Sequence, residues 1–400
     1  MDCNDCQLRD IPLEPAHWTY SGEGNMKIVF TYTGDRADLR GWLLRLDKAP
    51  KPSGNHEEKP EASEMTLAAE LVRRQDSARF SSGVIGRLIG AQYILPQRLV
   101  RVARGFLAQL DQQAARQRPE FRRHAQIDPA QRVAVLMPNM LERGTVTVEL
   151  KPKWGFLTQS SAAHPAKRRV CRYCMHQHLK HAPAQRSAFC PLDLFSSSHA
   201  RIVRALDALA RAPQNNLRVF VDGRLVNVDG ALDTRLVPRW DALRDVLARI
   251  LLREQFLVRL GRLQAALDPL DIEGVFPVYQ RALAQGALRE GCEPAIDDWL
   301  QAAQAFASDR KQQQHVDDKQ AVLEFMLSTV LKDISAMVTV HGWPDCVSED
   351  GRLPDYRIAM VDTEPKRLAK LPLYRDRYQA IVAAYLESHP DPATQTPCQE

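Results

Sequence analysis

The chain has 400 residues, of which 44% are hydrophobic and 26% charged, and its formal net charge is +5. This suffices for a sizeable core in two domains or one large two-lobed unit, and the absence of any run of about 18 apolar residues argues against a transmembrane helix. Because no secretory signal is seen and eight cysteines are too few for a disulfide scaffold, we expect an intracellular protein with reduced thiols.

The first part of the chain predicts strands. Trp18 to Tyr32 has the pattern of strand, turn and strand, with Gly22 and Gly24 in the turn. Glycines of this kind let backbone amides approach a phosphate, although ordinary hairpin turns show the same pattern. A further strand is expected at Trp42 to Leu46, and it carries Arg45.

The next segments predict a loop, helices and a buried strand. Pro50 to Ser63 is rich in Pro, Glu and Lys, which indicates a disordered loop. Helices are expected at Met65 to Arg74 and from about Pro96 to Arg116. Arg132 to Met137 predicts a buried strand, and Pro138-Asn139 should end it at a hinge between two lobes.

The second half alternates strands and helices. Asp222-Gly223 between two apolar runs is a strong signal for a type I′ hairpin. The expected strands are Leu217 to Val221, Arg224 to Asn227, Ser335 to Val340 and Tyr356 to Val361. The expected helices are His176 to Lys180, Ala200 to Ala212, Trp240 to Leu252, Glu254 to Leu267, Phe276 to Ala287, Val322 to Leu331 and Tyr374 to Leu386.

Basic residues concentrate in two stretches. Pro96 to Arg123 holds seven arginines against two acids, and Lys167 to Arg186 holds six Lys or Arg and no acid. Such local fields attract ligands rich in phosphate, although each stretch alone is equally well explained as a solubilising surface.

Lys151-Pro152-Lys153 follows the apolar alternation Val146 to Val148, with Glu149 two residues before Lys151. Proline cannot continue a central strand, so the strand should end here and present two lysines on a stiff corner. On these residues alone, a solvated strand end is the simpler interpretation. A rigid basic corner also suits a ligand with several negative charges.

Two acids have positions that suit phosphoryl transfer. Asp333 lies between a helix and a strand, and Asp362 ends a strand, with Glu364 two residues later. A carboxylate at such an edge can hold Mg²⁺, and a second one can accept the proton of an attacking hydroxyl. Taken singly, each acid is more often a helix cap or a surface residue.

Lys366, Lys370 and Tyr374 follow Asp362 at spacings of four. They would share a face if the segment is helical, although Pro372 makes a regular helix uncertain.

Five ordered segments resemble the signature of inositol-pentakisphosphate 2-kinases, and the cysteine-bearing version resembles the animal branch of that family. The segments are Gly22 to Asn25, Glu149 to Lys153, Cys171 to Lys180 with Cys190 to Ser196, Asn215 to Phe220, and Asp271 to Gly274.

The resemblance implies an α+β, two-lobed inositol polyphosphate kinase fold that is distantly related to protein kinases. Residues 1–138 would form the N-lobe, with its disordered loop at about 50–64, and residues 139–400 the C-lobe. Members use ATP and Mg²⁺ to phosphorylate the 2-hydroxyl of inositol 1,3,4,5,6-pentakisphosphate, which gives the hexakisphosphate, phytate.

The resemblance also implies roles for individual residues. Asp333 matches the general base, Asp362 the Mg²⁺-binding acid, and Lys151 a catalytic lysine. The ATP-binding positions are Gly22, Gly24, Asn25, Arg45, Asn139 (within Met137 to Met140), Glu149 and Arg218. The inositide-binding positions are Arg122, Lys151, Lys153, Lys180, Asn215, Asn216, Lys366, Lys370 and Tyr374.

Some positions depart from the family pattern. Arg123 could serve instead of Arg122, and a basic residue expected after Arg45 has only Lys48 or Lys51 as candidates. Lys370 stands where an arginine can occur, which keeps the charge and loses the bidentate fork. The proline in Asp362-Thr363-Glu364-Pro365-Lys366 precedes the lysine, whereas in the family pattern it follows the lysine.

A structural zinc site is weighed and disfavoured. Plant members of the family bind zinc elsewhere in the fold. Here Cys171, Cys174, Cys190, His176 and His178 are the candidate ligands. His176 should point away from the others, and cysteine also packs well as a small hydrophobe.

Two other classes of function remain open, a catalytically inactive inositide-binding scaffold and a basic nucleic-acid-binding module. A kinase for a less phosphorylated inositide is the closer alternative. The arginine-rich stretch lacks interleaved aromatics, so no nucleic-acid partner is expected. We expect a monomer, with no membrane partner, in the cytoplasm and nucleus.

Overall fold

The computed structural model of the chain describes residues 7–51, 66–227, 230–308, 316–347, 351–391 and 396–399. The loop predicted at about 50–64 lies almost entirely outside the described residues. Two compact units are present, one drawn from Met1–Arg79 and Leu95–Glu142, the other from Phe80–Ile94 and Arg143–Glu400. No sequence pattern indicated that residues 80–94 join the second unit.

Twelve strands occur in the described residues. They are β1 (Leu8–Arg9), β2 (Trp18–Glu23), β3 (Lys27–Tyr32), β4 (Trp42–Pro50), β5 (Arg98–Arg101), β6 (Ala125–Ile127), β7 (Val133–Pro138), β8 (Thr145–Leu150), β9 (Leu217–Val221), β10 (Arg224–Leu225), β11 (Ser335–His341) and β12 (Tyr356–Val361).

The same residues contain twelve α-helices. They are α1 (Leu67–Arg79), α2 (Gly86–Ile89), α3 (Arg104–Ala114), α4 (Arg172–Lys180), α5 (Pro191–Leu194), α6 (His199–Arg211), α7 (Trp240–Glu254), α8 (Phe256–Ala266), α9 (Asp271–Ala284), α10 (Ile296–Ser308), α11 (Asp318–Leu331) and α12 (Leu371–Ser388).

The first unit is built on a seven-stranded sheet. Its order is β1-β5-β7-β4-β3-β2, with β6 paired to β4. Strand β3 alternates buried and half-buried residues, so Ile28 and Phe30 point into the core on one face. Leu107 and Leu110 of α3 belong to the same buried cluster, which therefore lies between this helix and the sheet.

The second unit is built on a five-stranded antiparallel sheet of order β10-β9-β8-β11-β12. Central strand β8 is buried along most of its length, and helices α6 to α11 contribute to one large core with it. Phe80 packs edge-on against Trp299, and the Tyr93 hydroxyl donates to Glu254 over 3.1 Å. These contacts explain why residues 80–94 belong to this unit.

The strand register brings several chain ends together at one end of this sheet. Leu150, the last residue of β8, pairs with Leu217 at the start of β9 and with Ala336 near the start of β11. Val361, the last residue of β12, pairs with Ser335. One end of the sheet therefore brings together the residues that follow β8 and β12 and the residues that precede β9 and β11.

Most predicted elements are present, and the exceptions have physical causes. The helix expected from Pro96 is wrong at its start, because Arg98–Arg101 pairs with β7 as a strand and helix α3 begins only at Arg104. Residues 363–367 are not helical, so Lys366 shares no helix face with Tyr374. Pro372 instead occupies the first turn of α12, where a missing amide hydrogen costs nothing.

The hairpin predicted at Asp222-Gly223 is confirmed. Both residues have positive φ, of 50° and 78°, as a type I′ turn requires. The mixture of helices and sheets confirms the α+β class. Among the described residues, no helix combines the length and apolar character needed to cross a bilayer.

Candidate functional site

Lys151, Asp333 and Asp362 meet at the strand-end edge of the second unit. Lys151 follows β8, Asp333 precedes β11, and Asp362 follows β12. The Nζ atom of Lys151 lies 3.4 Å from Oδ1 of Asp333 and 3.3 Å from Oδ2 of Asp362. Two carboxylates and the lysine between them therefore come from three neighbouring strands of one sheet.

Two further lysines complete this cluster around Asp333. Lys366 Nζ lies 2.5 Å from Oδ2 of Asp333, and Lys153 Nζ lies 3.7 Å from Oδ1. Burial raises the pKa of Asp333, but the charges of Lys151, Lys366 and Lys153 outweigh it and lower the pKa to about 2. Asp333 is therefore ionised at any physiological pH, although its side chain is still 40% exposed.

The lysines are affected in opposite directions. Burial lowers the pKa of Lys153 to about 8, and nearby Lys151 and Arg172 act in the same direction against the attraction of Asp333. Burial also acts on Lys151, but Asp333 and Asp362 outweigh it and raise its pKa. Lys153 therefore gives up its proton more readily than Lys151.

Two residues of the cluster have a backbone conformation that side chains rarely adopt. φ is 65° at Lys153 and 62° at Asp362, in the left-handed region. Such conformations persist only where surrounding structure holds them, and they gather at functional sites. Asp362 directly follows β12, and Lys153 lies in the segment that follows β8.

Three predicted residues border the cluster along β8 and β9. Glu149 and Arg218 face each other across the two strands, with Nη1 and Oε2 3.5 Å apart. Asn216 is only 3% exposed. Its side-chain Nδ2 donates to the Tyr173 hydroxyl over 2.9 Å, and its main-chain carbonyl accepts from the main-chain amide of Lys151. Asn216 thus holds the main chain of Lys151 in place, while Asn215 is exposed.

The other predicted inositide positions lie on helices. Lys180 ends α4, and both Lys180 and Lys370, which precedes α12, are exposed. Tyr374 is half-buried in the first turn of α12, and burial together with Asp333 raises its pKa.

A buried layer beneath the lysines was not predicted. The Lys332 ammonium lies 2.5 Å from Asp268 and 4.2 Å from the centre of the Trp154 ring. The Arg172 guanidinium lies over the rings of Trp154 and Tyr378. The only sequence signal was that Lys332 adjoins Asp333 and that Arg172 lies within the cysteine motif.

In the first unit, Gly22 and Gly24 lie in and after strand β2. Neither has positive φ, and a Cβ atom added to either would meet nothing within 4 Å. Neither a left-handed backbone conformation nor tight internal packing therefore requires glycine at these two positions.

The side chain between these glycines is anchored inward. Glu23 accepts from Arg118 over 2.7 and 2.9 Å and also from Lys48, and all three side chains are almost fully buried. Lys48 thus holds the segment of Glu23 and Gly24 in place. Arg122 donates to the Asn25 side chain, so the structure brings together two residues predicted for different ligands.

The two remaining nucleotide positions differ in exposure. Arg45 is half-buried and sits in β4 opposite Val29 and Val135. Asn139 is 6% exposed, and its Oδ1 accepts from the Leu141 amide over 2.9 Å. Its side chain therefore shapes the turn after β7.

Four cysteines of the second unit form a separate cluster. The Sγ atoms of Cys171, Cys174, Cys190 and Cys398 all lie within 4.8 Å of one another. Cys398 was not among the predicted ligands, since it lies more than half the chain away from the other three cysteines. The two candidate histidines are engaged elsewhere: His176 contacts Arg377, and His178 packs on Tyr385 and His389.

Comparison with known proteins identifies the family. A model of the family described as inositol-pentakisphosphate 2-kinase matches residues 20–379. The chain belongs to this family. An inositol-pentakisphosphate 2-kinase of Oryza sativa subsp. indica is 29% identical over 92% of this chain and 93% of its own length. Its counterpart in Arabidopsis thaliana is 26% identical over 93% and 94%. The Danio rerio protein of the same description is 34% identical over 54% of this chain and 45% of its own length.

The resemblance predicted from five segments is thereby confirmed. Inositol-pentakisphosphate 2-kinases carry out ATP-dependent phosphorylation of inositol pentakisphosphate to the hexakisphosphate. The assignment of roles to individual residues, and the relationship to protein kinases, remain predictions.

Proposed function

We propose that this chain transfers the γ-phosphate of ATP to the 2-hydroxyl of inositol 1,3,4,5,6-pentakisphosphate, with the cluster around Asp333 as the reaction centre. The observation that carries the proposal is the position of Asp333, with lysines 151, 153 and 366 around one carboxylate and a second acid, Asp362, beside Lys151.

The charge of the substrate accounts for the lysines. Five phosphates carry on the order of eight to ten negative charges, at about −1.5 to −2 each. Lys151, Lys153 and Lys366 would hold phosphates of the ring, and Lys180, Lys370, Tyr374 and Asn215 would extend the contacts. Asn216 would act by holding Tyr173 and the Lys151 backbone.

Asp333 has the role of general base in this proposal. The inositol hydroxyl gives its proton to the carboxylate while its oxygen bonds to the γ-phosphorus, and the bond from that phosphorus to the bridging oxygen of ADP breaks. Because the transition state of phosphoryl transfer is loose, little charge builds on the attacking oxygen early in the reaction. A carboxylate that stays ionised and correctly placed is then sufficient.

Asp362 would hold Mg²⁺, a hard cation that prefers carboxylate and phosphate oxygens. Its donor set fits this role, since the carboxylate is 48% exposed at the end of β12. Mg²⁺ bound there would neutralise charge on the transferred phosphate. Glu149 and Arg218 are the proposed nucleotide contacts of the second unit, and Gly22, Gly24, Asn25 and Arg45 those of the first, with Arg122 as a basic clamp on the inositide.

A substrate panel tests the proposal. Purified protein with ATP and Mg²⁺ is given inositol phosphates of three to five phosphates, and each product isomer is identified by NMR. We expect the 1,3,4,5,6-pentakisphosphate to be turned over most efficiently, with the hexakisphosphate as product. Preferred turnover of a less phosphorylated inositide would contradict the substrate assignment. Tight binding without any ATP turnover would indicate an inactive scaffold.

We also propose that the four cysteines hold a structural Zn²⁺. Zn²⁺ bound tetrahedrally by thiolates at about 2.3 Å requires sulfurs roughly 4 Å apart. Cys171, Cys174, Cys190 and Cys398 meet this condition with their Sγ atoms within 4.8 Å. Zn²⁺ bound here would fix the start of α4, where Cys171 is the N-cap, to the segment that carries Cys398.

Metal analysis decides this second proposal. We expect about one zinc per chain in the purified protein, lost in Cys398→Ser and kept in Cys292→Ser, whose cysteine is exposed and outside the cluster. A protein without zinc whose cluster cysteines are found as disulfides by mass spectrometry would refute it.

A further inference from the structure

Gln264, on helix α8, places its side-chain amide between two segments, the one that carries Lys151 and Lys153 and the one that carries Asp333. The residue is 0% exposed. Its Nε2 donates to the carbonyl of Lys153 and to the carbonyl of Leu331, both over 2.9 Å. Its Oε1 accepts from the amide of Gly155 over 2.8 Å. One side chain thus joins a residue of the cluster to the chain two residues before Asp333.

The three backbone groups that Gln264 binds lie at the end of helix α11 or in the segment that follows β8. Lys153 has left-handed φ after the end of β8, and Leu331 ends α11, where a helix leaves its last carbonyls without internal donors. Buried backbone groups without partners are costly, so the Gln264 amide stabilises this one arrangement of the two segments.

We propose that Gln264 is a positioning residue, which sets the spacing between Lys153 and Asp333 and thereby the geometry of phosphoryl transfer. This inference rests on the proposed function for its effect on rate. The positioning itself concerns the two backbone segments that carry Lys153 and Leu331, and it can be tested without turnover.

The primary amide of Gln264 matches the hydrogen-bonding needs of all three backbone groups. Two donors and one acceptor are needed at the same place, and a primary amide supplies them. Methionine has nearly the same shape without any strong donor. An ionised glutamate would turn a carboxylate oxygen toward two carbonyl oxygens, whereas a protonated one regains a single donor.

Steady-state kinetics of Gln264→Met form the first test. We expect kcat to fall roughly 10- to 100-fold, because misplacement of reacting groups by about 1 Å has effects of this size. KM for ATP should change little. The matched control is Ser328→Ala, which removes a 2.7 Å hydrogen bond to the Gln264 main-chain carbonyl and leaves its side-chain contacts intact. Equal kcat in the two variants would overturn the proposal.

A pH profile of Gln264→Glu supplies the second test, which also serves if the methionine variant folds poorly. Burial raises the pKa of a carboxyl group. We therefore expect the ratio of variant to wild-type kcat to rise as the pH falls, because the protonated acid recovers a donor. A ratio that is independent of pH would contradict the role of the amide as donor.

Competitive acetylation of Lys153 at several pH values, without substrate, tests the positioning independently of any reaction. In the wild type, half-maximal labelling should occur near pH 8, which is the lowered pKa of Lys153. In Gln264→Met the midpoint should shift upward, since a relaxed segment exposes Lys153 to solvent and reduces the burial that lowers its pKa. An unchanged midpoint would refute the positioning role, whereas a shifted midpoint in a protein inactive on every inositide would refute only the proposed function.

Discussion

The Nζ atom of Lys366 lies 2.5 Å from Oδ2 of Asp333. The proposed base is therefore paired with a lysine proposed to hold a substrate phosphate. Together with Lys151 and Lys153, this pairing accounts for a pKa of about 2 at Asp333 despite the burial that opposes it.

Asp333→Asn should abolish turnover while inositide binding survives. An amide of the same shape cannot accept the hydroxyl proton, and loss of a general base typically costs about 100- to 10,000-fold in kcat. Removing a negative charge among three lysines should also strengthen the binding of a polyanion. Calorimetry with inositol hexakisphosphate and a phosphate-transfer assay measure the two effects.

The control for this variant is Asp376→Asn, which removes an exposed carboxylate that pairs with the adjacent Arg375 on helix α12. It should leave both quantities unchanged. Wild-type rates in Asp333→Asn would remove Asp333 from the mechanism.

Asp362→Asn should raise the Mg²⁺ concentration needed for half-maximal turnover, because a neutral amide is a weaker ligand for a hard cation than a carboxylate. Excess Mg²⁺ should restore part of the rate, in contrast to Asp333→Asn. Titration of activity with Mg²⁺ at fixed ATP distinguishes the two variants, and an unchanged Mg²⁺ requirement would assign Asp362 another role.

The affinity for inositol hexakisphosphate should fall as the pH rises through about 8, the lowered pKa of Lys153. Phosphomonoesters, with a second pKa of about 6, are already doubly ionised in this range, so loss of the lysine proton dominates. One charge-assisted hydrogen bond corresponds to about 1.5–3 kcal/mol, or roughly 10- to 100-fold in affinity. Calorimetry between pH 7 and about 9.5 measures the fall.

Lys153→Arg provides the comparison, because a guanidinium stays charged throughout this range. Its affinity should remain constant over the pH range in which that of the wild type declines.

The stability of the folded protein should change with pH in the opposite direction. A lysine whose pKa is lowered on folding disfavours the folded state while it is charged. This destabilisation should therefore diminish as the pH rises from about 8 toward the ordinary lysine value.

Lys332→Met should lower the free energy of unfolding by about 3–5 kcal/mol, since it leaves the carboxylate of Asp268 buried without its cation. The two side chains are 2% and 1% exposed. Adding Asp268→Leu to this variant should recover part of the loss. Lys319→Met breaks the more exposed pair with Asp298 and should cost at most about 1 kcal/mol. Urea denaturation compares the three variants with the wild type, and equal losses in the two single variants would be evidence against the buried pair.

The strand that leads to Lys151 and the proline that ends it were predictable, because alternation and proline act locally. Asp333 and Asp362 lie beside Lys151 because β8, β11 and β12 pair as antiparallel neighbours. No local sequence pattern specifies which strands pair. The family resemblance supplied this juxtaposition.

Other features depend on contacts distant in the chain. Gln264 is a single polar residue on an otherwise apolar helix face, and only its three backbone partners give it a role. Arg98–Arg101 forms a strand because β7 lies beside it, although arginine and leucine favour helices in isolation. Cys398 joins the other cysteines through the fold alone.

The cluster around Asp333 supplies its own counterions. Lys151, Lys153 and Lys366 are paired to Asp333 and Asp362, so an incoming anion competes with two carboxylates for the same ammonium groups. A ligand with few phosphates gains little from this exchange, whereas a densely charged ring draws the lysines away. As they move, the pKa of Asp333 returns toward its usual range and the carboxylate becomes a stronger base. The strength of Asp333 as a base would thus increase with the number of phosphates on the bound ligand.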